Sequence, residues 1–515
     1  MASSIKSHSN AFSSTHPDCC RNTHQQAQAS DIVITVASTA PLRSLLRCSR
    51  LRRTPFNLAP PRERLSLISR HLNTNAHVPL NTPFSIERNS SPGDDIEHSS
   101  VQTRQSRQFG TQTTTPPPPP KEEPKEEKKE PVNMSSQAPH PTVLIPGPIE
   151  YDDEVLKSMS HYSEPHTAIP FVNCFGETLT MLRKLFQTTN PNSQPFIING
   201  SGTLGWDQVA ANLAERGDDV LVLHTGYFAD SFADCFETYG VNATQLKAPI
   251  GDRPQLDEVE KALKEKDYKI ITVTHTDTST GVLSEIQALS ELVHRVSPNT
   301  LVVVDGVCSV ACEEIRFDDW GIDVVLTATQ KAIGVPAGLS ILMASQRAIE
   351  RFRARSTPPP SYYGSWKNWL PVMQNYEAKK PSYFATPSPQ LVHALHTSLT
   401  QILSRPLEER FRQHKEASQK VKKAIEELGL KQLPTKPENA ANGMTAIWLP
   451  EGLSPPEILP KLISRGIIFA GGLHKEVAAK YIRFGHMGVS VTDPKRDDLD
   501  RAIKALKEGL AEVQK

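Results

Sequence analysis

The 515-residue sequence has no net charge and no long apolar run, and these two absences exclude several classes of function. Its 57 Lys and Arg residues balance 57 Asp and Glu residues, so overall charge gives no case for binding nucleic acid or a membrane surface. No apolar stretch approaches the roughly 18 residues of a membrane span. We therefore expect a soluble intracellular protein without nucleic-acid or membrane partners.

Cysteine is sparse, and its spacing is irregular. The seven cysteines include no CxxC pair, which removes support for a zinc ribbon or a thioredoxin-like site. Cys308 and Cys312 stand four apart, but no second His or Cys pair completes a metal-binding set. We predict no metal site and reduced thiols in a reducing compartment.

Glycine is scarce relative to proline, with 26 glycines against 42 prolines, and 15 of the prolines precede residue 135. Residues 1–133 show no sustained helical or strand periodicity, so we predict a disordered extension there. A five-proline run at 116–120 and the charged segment KEEPKEEKKE at 121–130 indicate a stiff, solvated spacer before the folded part.

The extension carries an Arg-rich segment between residues 32 and 86, with eight arginines, no lysine and one acidic residue, Glu63. Leucines alternate with arginines at helix-face spacing from 42 to 53, which is typical of a mitochondrial transit peptide. The tripeptide Arg107-Gln108-Phe109 resembles a presequence cleavage site. Plain disorder, or an extension before an internal start at Met134, are the alternatives, with the cytosol or the peroxisome as the compartment. The C-terminal Val513-Gln514-Lys515 does not resemble the peroxisomal address.

From Thr142 onward, apolar strand patterns alternate with helical patterns. The strand patterns lie at 196–198, 220–223, 270–273, 301–304 and 322–326, and the helical patterns at 204–215, 228–239, 256–266 and 283–296. This alternation predicts an α/β fold with a mainly parallel sheet covered on both faces. After Pro387, two long helices, strands at 444–449 and 466–470 and a final helix predict a smaller α+β domain.

Three groups of residues follow predicted strands, where a parallel sheet binds its ligands. Ser201-Gly202-Thr203 opens a predicted helix and offers backbone N–H groups and two hydroxyls, which suit a phosphate, although a tight turn also explains the pattern. Asp305 ends an apolar strand and needs a partner, either a helix N-terminus at 306–313 or a protonated pyridine nitrogen. Lys331 lies among small residues, where desolvation would make its amine a nucleophile toward carbonyls.

A phosphate site, an aspartate and a lysine in a cleft together describe a site for pyridoxal 5′-phosphate. The phosphate would anchor the cofactor, Asp305 would keep the ring nitrogen protonated, and Lys331 would hold the aldehyde.

The segment DVVLTATQKAIGVPAGLSI at 323–341 closely resembles the lysine signature of class-V aminotransferases, which have the fold-type-I architecture. Further matching segments are LIPGPI (144–149), NGSGTLGWD (199–207), THTDTSTGVL (274–283), VVVDGVCS (302–309), SYFATPSPQL (382–391) and YIRFGHMG (481–488). Their order and spacing are similar to those of the alanine–glyoxylate type, particularly the fungal one. The resemblance implies an N-terminal arm at 134–160, a cofactor-binding domain at 161–386 with a seven-stranded-type sheet, and a small domain at 387–515.

The resemblance also implies roles for individual residues. Lys331 would bind the cofactor covalently and move the substrate proton, and Asp305 would pair with the ring nitrogen. The phosphate would be bound by Ser201, Gly202, Thr203 and Gln330. Thr278 would lie near the ring hydroxyl, and Phe228 would stack on the ring, where relatives often have the larger Trp.

Four further positions follow from the same resemblance. Tyr383 and Thr386 match residues that reach the phosphate in the neighbouring subunit, which implies a homodimer. Arg483 matches the arginine that binds the substrate carboxylate. Gly147 matches a loop that closes over the substrate, and a simple turn explains it nearly as well.

These roles predict transfer of an amino group from L-alanine to glyoxylate, with serine as the alternative donor to pyruvate or glyoxylate. A cysteine desulfurase needs a mobile cysteine after the lysine, and no cysteine follows Cys312. A nucleotide-binding oxidoreductase lacks the third glycine of its fingerprint and leaves Lys331 and Asp305 unexplained. A catalytically dead scaffold is the remaining alternative, and the intact site residues argue against it.

Overall fold

The computed structural model describes residues 135–514. The predicted disordered extension, transit peptide and spacer lie outside these residues. None of the described helices is long and apolar enough to cross a membrane.

The strands are β1 (Thr142–Val143), β2 (Gln194–Gly200), β3 (Asp219–His224), β4 (Asn242–Lys247), β5 (Ile270–Thr274), β6 (Leu301–Asp305), β7 (Val324–Ala328), β8 (Gly338–Ala344), β9 (Lys431–Gln432), β10 (Met444–Trp448), β11 (Ile467–Ile468), β12 (Ala470–Gly471) and β13 (Tyr481–Gly485). The helices are α1 (Asp153–Ser158), α2 (Ile169–Leu185), α3 (Gly202–Leu213), α4 (Tyr227–Thr238), α5 (Leu256–Glu265), α6 (Ile286–Val296), α7 (Gln346–Arg353), α8 (Trp366–Glu377), α9 (Pro389–Ile402), α10 (Leu407–Glu427), α11 (Pro455–Ile463), α12 (Val489–Thr492) and α13 (Asp498–Val513).

A seven-stranded sheet of order β2-β8-β7-β6-β5-β3-β4 forms the centre of the molecule. Strand β8 is antiparallel to both of its neighbours, and the other adjacent pairs are parallel. Strands β5, β6 and β7 are buried along their whole length, which explains their continuous apolar sequences. The predicted α/β fold with a mainly parallel sheet is confirmed.

A second, four-stranded sheet of order β12-β13-β10-β9 lies in the C-terminal part. Its apolar face packs with α10, α11 and α13 around a separate core that includes Val421, Ile458 and Phe484. The predicted strand at 466–470 is instead two short strands, because β11 pairs with β1 and β12 pairs with β13. The first residues of the described chain therefore join this part of the molecule.

The sheet direction decides where a site can form. Because β2, β3, β5, β6 and β7 run the same way, their carboxyl ends lie along one edge of the central sheet. Ligands of open α/β sheets bind outside this edge. Each strand there leads into a loop or helix that carries polar side chains.

Candidate active site

Helix α3 begins directly after β2 and presents its N-terminus at this edge. Ser201 is the N-cap residue of α3, but its side chain accepts no hydrogen bond from the backbone N–H groups of the helix. The side chains of Ser201 and Thr203 are both exposed. Gly202 is buried, and a Cβ atom there would lie 2.8 Å from Val307 Cγ2, two residues after Asp305. Only glycine lets the helix start approach the Asp305 loop this closely. The free N–H groups and hydroxyls form a cup suited to an anion.

Gln330 adds an unsatisfied polar group one residue before Lys331. Its amide oxygen is buried and has no hydrogen-bond partner among residues 135–514. A half-turn of the amide would present its NH₂ group instead, so this side chain can donate to an anion. An orphaned buried amide of this kind fits a ligand-binding position.

Asp305 lies buried at the end of β6, with a hydrogen bond to each carboxylate oxygen. Trp206 Nε1 donates to Oδ2 over 2.8 Å, and the Val307 backbone N–H donates to Oδ1 over 3.0 Å. Residues 306–313 form turns, so the helix N-terminus considered as a partner from the sequence is absent. Burial raises the Asp305 pKa to about 6, and the two hydrogen bonds oppose this rise. The site thus holds a carboxylate that a nearby cation would stabilise.

Lys331 follows β7 and is also buried, with only 8% of the residue exposed. Its Nζ donates to the carbonyl oxygens of Pro146 and Gly147, and no acidic side chain lies within salt-bridge distance among the described residues. Burial lowers the Lys331 pKa, and the charge of Arg483 lowers it further. A lower pKa favours the unprotonated amine, which is the form that attacks carbonyl groups.

Gly147 lies against the end of the Lys331 side chain. An added Cβ atom would overlap Lys331 Cδ and lie 2.6 Å from Nζ, and the Gly147 φ of 92° is in the left-handed region. The N-terminal arm therefore covers Lys331. The left-handed backbone conformation favours glycine at this position, and any side chain there would displace the end of Lys331.

Arg483 extends from β13 of the smaller sheet toward the same edge. Its Nε donates to the Gly471 carbonyl over 2.7 Å and its Nη1 to the Thr278 carbonyl over 3.1 Å. Nη2 has no hydrogen bond, and the guanidinium has no carboxylate partner, within residues 135–514. Burial lowers the Arg483 pKa. A mostly buried guanidinium with free donors is suited to an incoming carboxylate.

Aromatic side chains line the start of α4. Phe228 is half-buried and contacts Trp206 edge-on, with ring centroids 6.3 Å apart. Trp206 also donates to Asp305, so the same indole contacts both Phe228 and the carboxylate. Thr278 is buried, and its carbonyl oxygen orients Arg483.

Tyr383 and Thr386 lie on the surface, apart from Lys331 and Asp305. Tyr383 is 60% exposed, and its hydroxyl is 3.4 Å from Thr386 Oγ1. Asn199 at the end of β2 fixes this loop by donating to the Thr386 carbonyl over 2.8 Å. Within one chain, no hydrogen bond or ring contact joins either residue to Lys331 or Asp305 in the described part.

Two residues near Asp305 were not expected from the sequence. Trp206 binds the Asp305 carboxylate, and its only signal was the GWD segment at the start of a helix. His275 donates its backbone N–H to the Asp305 carbonyl over 3.0 Å, and its buried Nδ1 has no partner among residues 135–514. Burial lowers the His275 pKa to about 3, so this ring is neutral.

The fold and this set of side chains define a transaminase-like α/β enzyme. The family model for class-V aminotransferases matches residues 148–488, and the chain belongs to this family. The predicted resemblance is confirmed.

Named relatives show the same similarity. The chain is 42% identical over 358 residues to alanine–glyoxylate aminotransferase 1 of Saccharomyces cerevisiae, covering 68% of this chain and 92% of that protein. It is 29% identical to serine–glyoxylate aminotransferase of Arabidopsis thaliana, covering 67% and 85%. Among solved structures, alanine–glyoxylate aminotransferase from Nostoc sp. superposes with a TM-score of 0.67 at 28% identity, covering 73% of this chain and 96% of that one.

Proposed function

We propose that this protein is a pyridoxal-phosphate-dependent aminotransferase that converts L-alanine and glyoxylate to pyruvate and glycine. The observation that carries this proposal is the meeting of a buried amine, a buried carboxylate and a carboxylate-free guanidinium at one sheet edge. The 42% identity to the yeast alanine–glyoxylate enzyme supports these substrates.

The site offers suitable residues for the phosphate and for the ring nitrogen of the cofactor. The helix N-terminus at Ser201, Gly202 and Thr203, with the unsatisfied amide of Gln330, would bind the phosphate. Asp305 would hold a proton on the ring nitrogen, and its pKa of about 6 without a cation would fall beside that positive charge. When bound, the cofactor supplies an aldehyde and an electron-accepting ring.

The protein's side chains then act on the amino acid. Arg483 would bind and orient its carboxylate through the free guanidinium donors. Lys331 Nζ would remove the proton from the α-carbon of alanine and return a proton on the cofactor side, and its lowered pKa favours the unprotonated form that accepts the first proton. Phe228 would cover one face of the ring, and Gly147 would leave room for Lys331 to move.

An amino-donor assay with glyoxylate tests the function. Purified protein loaded with pyridoxal phosphate receives L-alanine, L-serine or L-aspartate, and glycine formation is measured by chromatography. We expect alanine to give the highest kcat/KM. Serine is the second candidate, because the Arabidopsis relative is a serine–glyoxylate enzyme. A higher kcat/KM with serine would make serine the preferred donor, and no glycine from any donor would contradict the proposal.

We also propose a homodimer in which Tyr383 and Thr386 complete the neighbouring phosphate site. The 60% exposure of Tyr383, next to the β2 end that leads into α3, supports this proposal. We expect Lys331→Ala subunits mixed with Tyr383→Phe/Thr386→Ala subunits to regain activity, because one site of each mixed dimer then has every residue intact. Activity is measured after joint refolding, and each variant refolded alone is the control. No regain would place both residues in their own subunit's site.

Mitochondrial localisation remains a proposal based on the Arg-rich segment. We expect a fluorescent fusion carrying residues 1–115 to enter mitochondria, and a chain starting at Met134 to keep its specific activity outside them. A cytosolic fusion would contradict the targeting role, and lower specific activity would mean that the extension docks on the enzyme.

A further inference from the structure

Helix α10 carries four polar side chains on one face, which we call the polar stripe. They are Arg410, His414, Ser418 and Lys422. Residues four apart lie one above another on a helix, so this spacing forms a continuous row. His414 and Ser418 are fully buried, so the row faces inward rather than toward water. Buried polar side chains need partners, and here the partners are backbone groups of the loops that bear the active site.

Arg410 binds two of these loops at once. Its Nε donates to the Ala311 carbonyl over 2.8 Å, and its Nη2 donates to the Ala332 carbonyl over 2.7 Å. Ala332 directly follows Lys331. Ala311 belongs to the turns after Asp305 and has a φ of 70°, a conformation that is uncommon for alanine. The planar guanidinium thus joins the loop after Asp305 to the loop of Lys331.

Arg410 is half-buried and has no acidic partner within salt-bridge distance among the described residues, so partial desolvation of its charge has a cost in free energy. Burial lowers the Arg410 pKa to about 10. A neutral hydrogen-bonding side chain would avoid this cost, but it would lack the rigid fork that spans two carbonyl groups. Arg410 therefore holds the two loops at a fixed spacing, and the cost is the partial desolvation of its charge.

His414, one turn further along α10, binds the segment that carries Arg483. Its Nε2 accepts the Gly488 backbone N–H over 3.1 Å, which leaves the ring proton on Nδ1 to be donated to the Arg410 carbonyl over 2.8 Å. Burial and the charge of Arg410 lower the His414 pKa to about 3, so this neutral form is kept at physiological pH. Gly488 lies five residues after Arg483, just beyond β13.

The remaining residues of the polar stripe reach a third loop. Lys422 donates to the Ala440 and Ala441 carbonyls over 3.1 and 2.9 Å, and Ser418 donates to the Ala441 carbonyl over 3.3 Å. The Ala441 N–H in turn donates to the Gly281 carbonyl over 3.0 Å. Gly281 belongs to the loop that contains Thr278, whose carbonyl orients Arg483.

We propose that the polar stripe of α10 fixes the loops of the reacting groups relative to one another, and that Arg410 is the positioning residue for Lys331. The inference rests on the proposed function for its effect on catalysis. The fixed geometry itself is independent of that function, because every hydrogen bond described above lies within the protein.

The matched variants are Arg410→Met and Arg412→Met. Both remove a guanidinium and keep most of the side-chain stem. Arg412, however, is exposed, and within residues 135–514 it pairs only with Glu416 one turn away. In the cofactor-free protein, we expect hydrogen exchange of the 329–335 peptide to be at least about tenfold faster in Arg410→Met than in wild type. Arg412→Met should exchange like wild type.

In the cofactor-loaded enzyme, kcat per loaded site should fall about 10- to 100-fold in Arg410→Met, because small displacements of a reacting group have effects of this size. KM for the amino donor should change much less, and the pH at which the visible absorbance of the bound cofactor changes should shift. Arg410→Lys should recover part of kcat, since an ammonium group can still reach one carbonyl.

Unchanged exchange at 329–335 and an unchanged kcat in Arg410→Met would overturn the proposal. If Arg410→Met does not fold, Arg410→Lys and His414→Gln are measured instead, and normal exchange in both would overturn it equally. A wild-type protein that binds no cofactor and forms no glycine would refute the proposed function alone, because the exchange comparison needs neither.

Discussion

Lys331→Ala should abolish turnover while the protein stays folded and still binds pyridoxal phosphate non-covalently. The Nζ atom is the amine positioned at the sheet edge under Gly147, and in the proposed mechanism its loss removes both the covalent link and the proton carrier. The cup at the start of α3, the Gln330 amide and Asp305 all remain, so affinity for the cofactor should decrease but persist. Glycine formation and cofactor fluorescence titration measure the two effects separately.

The matched variant is Lys331→Arg, which keeps a positive charge at the same position but cannot form the covalent link. It should be as inactive as Lys331→Ala, which separates chemistry from electrostatics. Borohydride reduction of the wild-type holoenzyme, followed by peptide mapping, should label Lys331. A label on any other lysine would refute the assignment of the catalytic amine.

Asp305→Asn should lower kcat/KM by about 10²-fold or more, equivalent to about 3 kcal/mol of transition-state stabilisation. The amide is similar in size but carries no charge to hold the ring nitrogen protonated. In the wild type, Trp206 and the Val307 N–H each donate to a different carboxylate oxygen. The amide has only one oxygen, so one of these two donors would lose its acceptor. Steady-state kinetics with alanine and glyoxylate, corrected for bound cofactor, give the value.

Asp323→Asn is the control for burial and hydrogen bonding. Asp323 is as buried as Asp305 and accepts from the Val302 N–H over 2.8 Å, but it pairs with Arg347 away from the site. This variant should lose stability while its activity per loaded site stays within about threefold of wild type. Near-normal kcat/KM in Asp305→Asn with full cofactor occupancy would show that Asp305 is only structural.

The central sheet was predictable because its strands are continuous apolar runs. Strands β5 and β6 end one residue beyond the predicted runs at 270–273 and 301–304. Strand β8 was not predicted, although it is apolar, and neither was β13. Local patterns do not reveal pairing partners, and the split of 466–470 into β11 and β12 depends on two different neighbours.

The candidate site was predictable to the extent that it follows strand ends. Asp305 is the last residue of β6, Lys331 lies three residues after β7, and α3 follows β2, so the direction of the strands brings all three to one edge. Trp206 bonds Asp305 across 99 residues of sequence, and Arg410 bonds Ala332 across 78. Such contacts depend on how helices pack on the sheet. The four-residue spacing of the polar stripe was visible, but it is equally typical of a solvated helix face.

The pairing of β1 with β11 limits how far this chain can be shortened from its N-terminal side without disturbing the candidate site. The backbone N–H groups of Thr142 and Leu144 donate to the carbonyls of residues 466 and 468, and the Gly485 N–H donates to the Leu144 carbonyl. Three residues after Leu144, Gly147 covers Lys331. The six residues 142–147 therefore connect the two-stranded sheet of β1 and β11 to Lys331. Trimming before residue 135 leaves this connection whole, whereas cleavage after Leu144 would remove a strand and free the segment over Lys331. The described fold thus sets a boundary for N-terminal truncation that is independent of any targeting sequence.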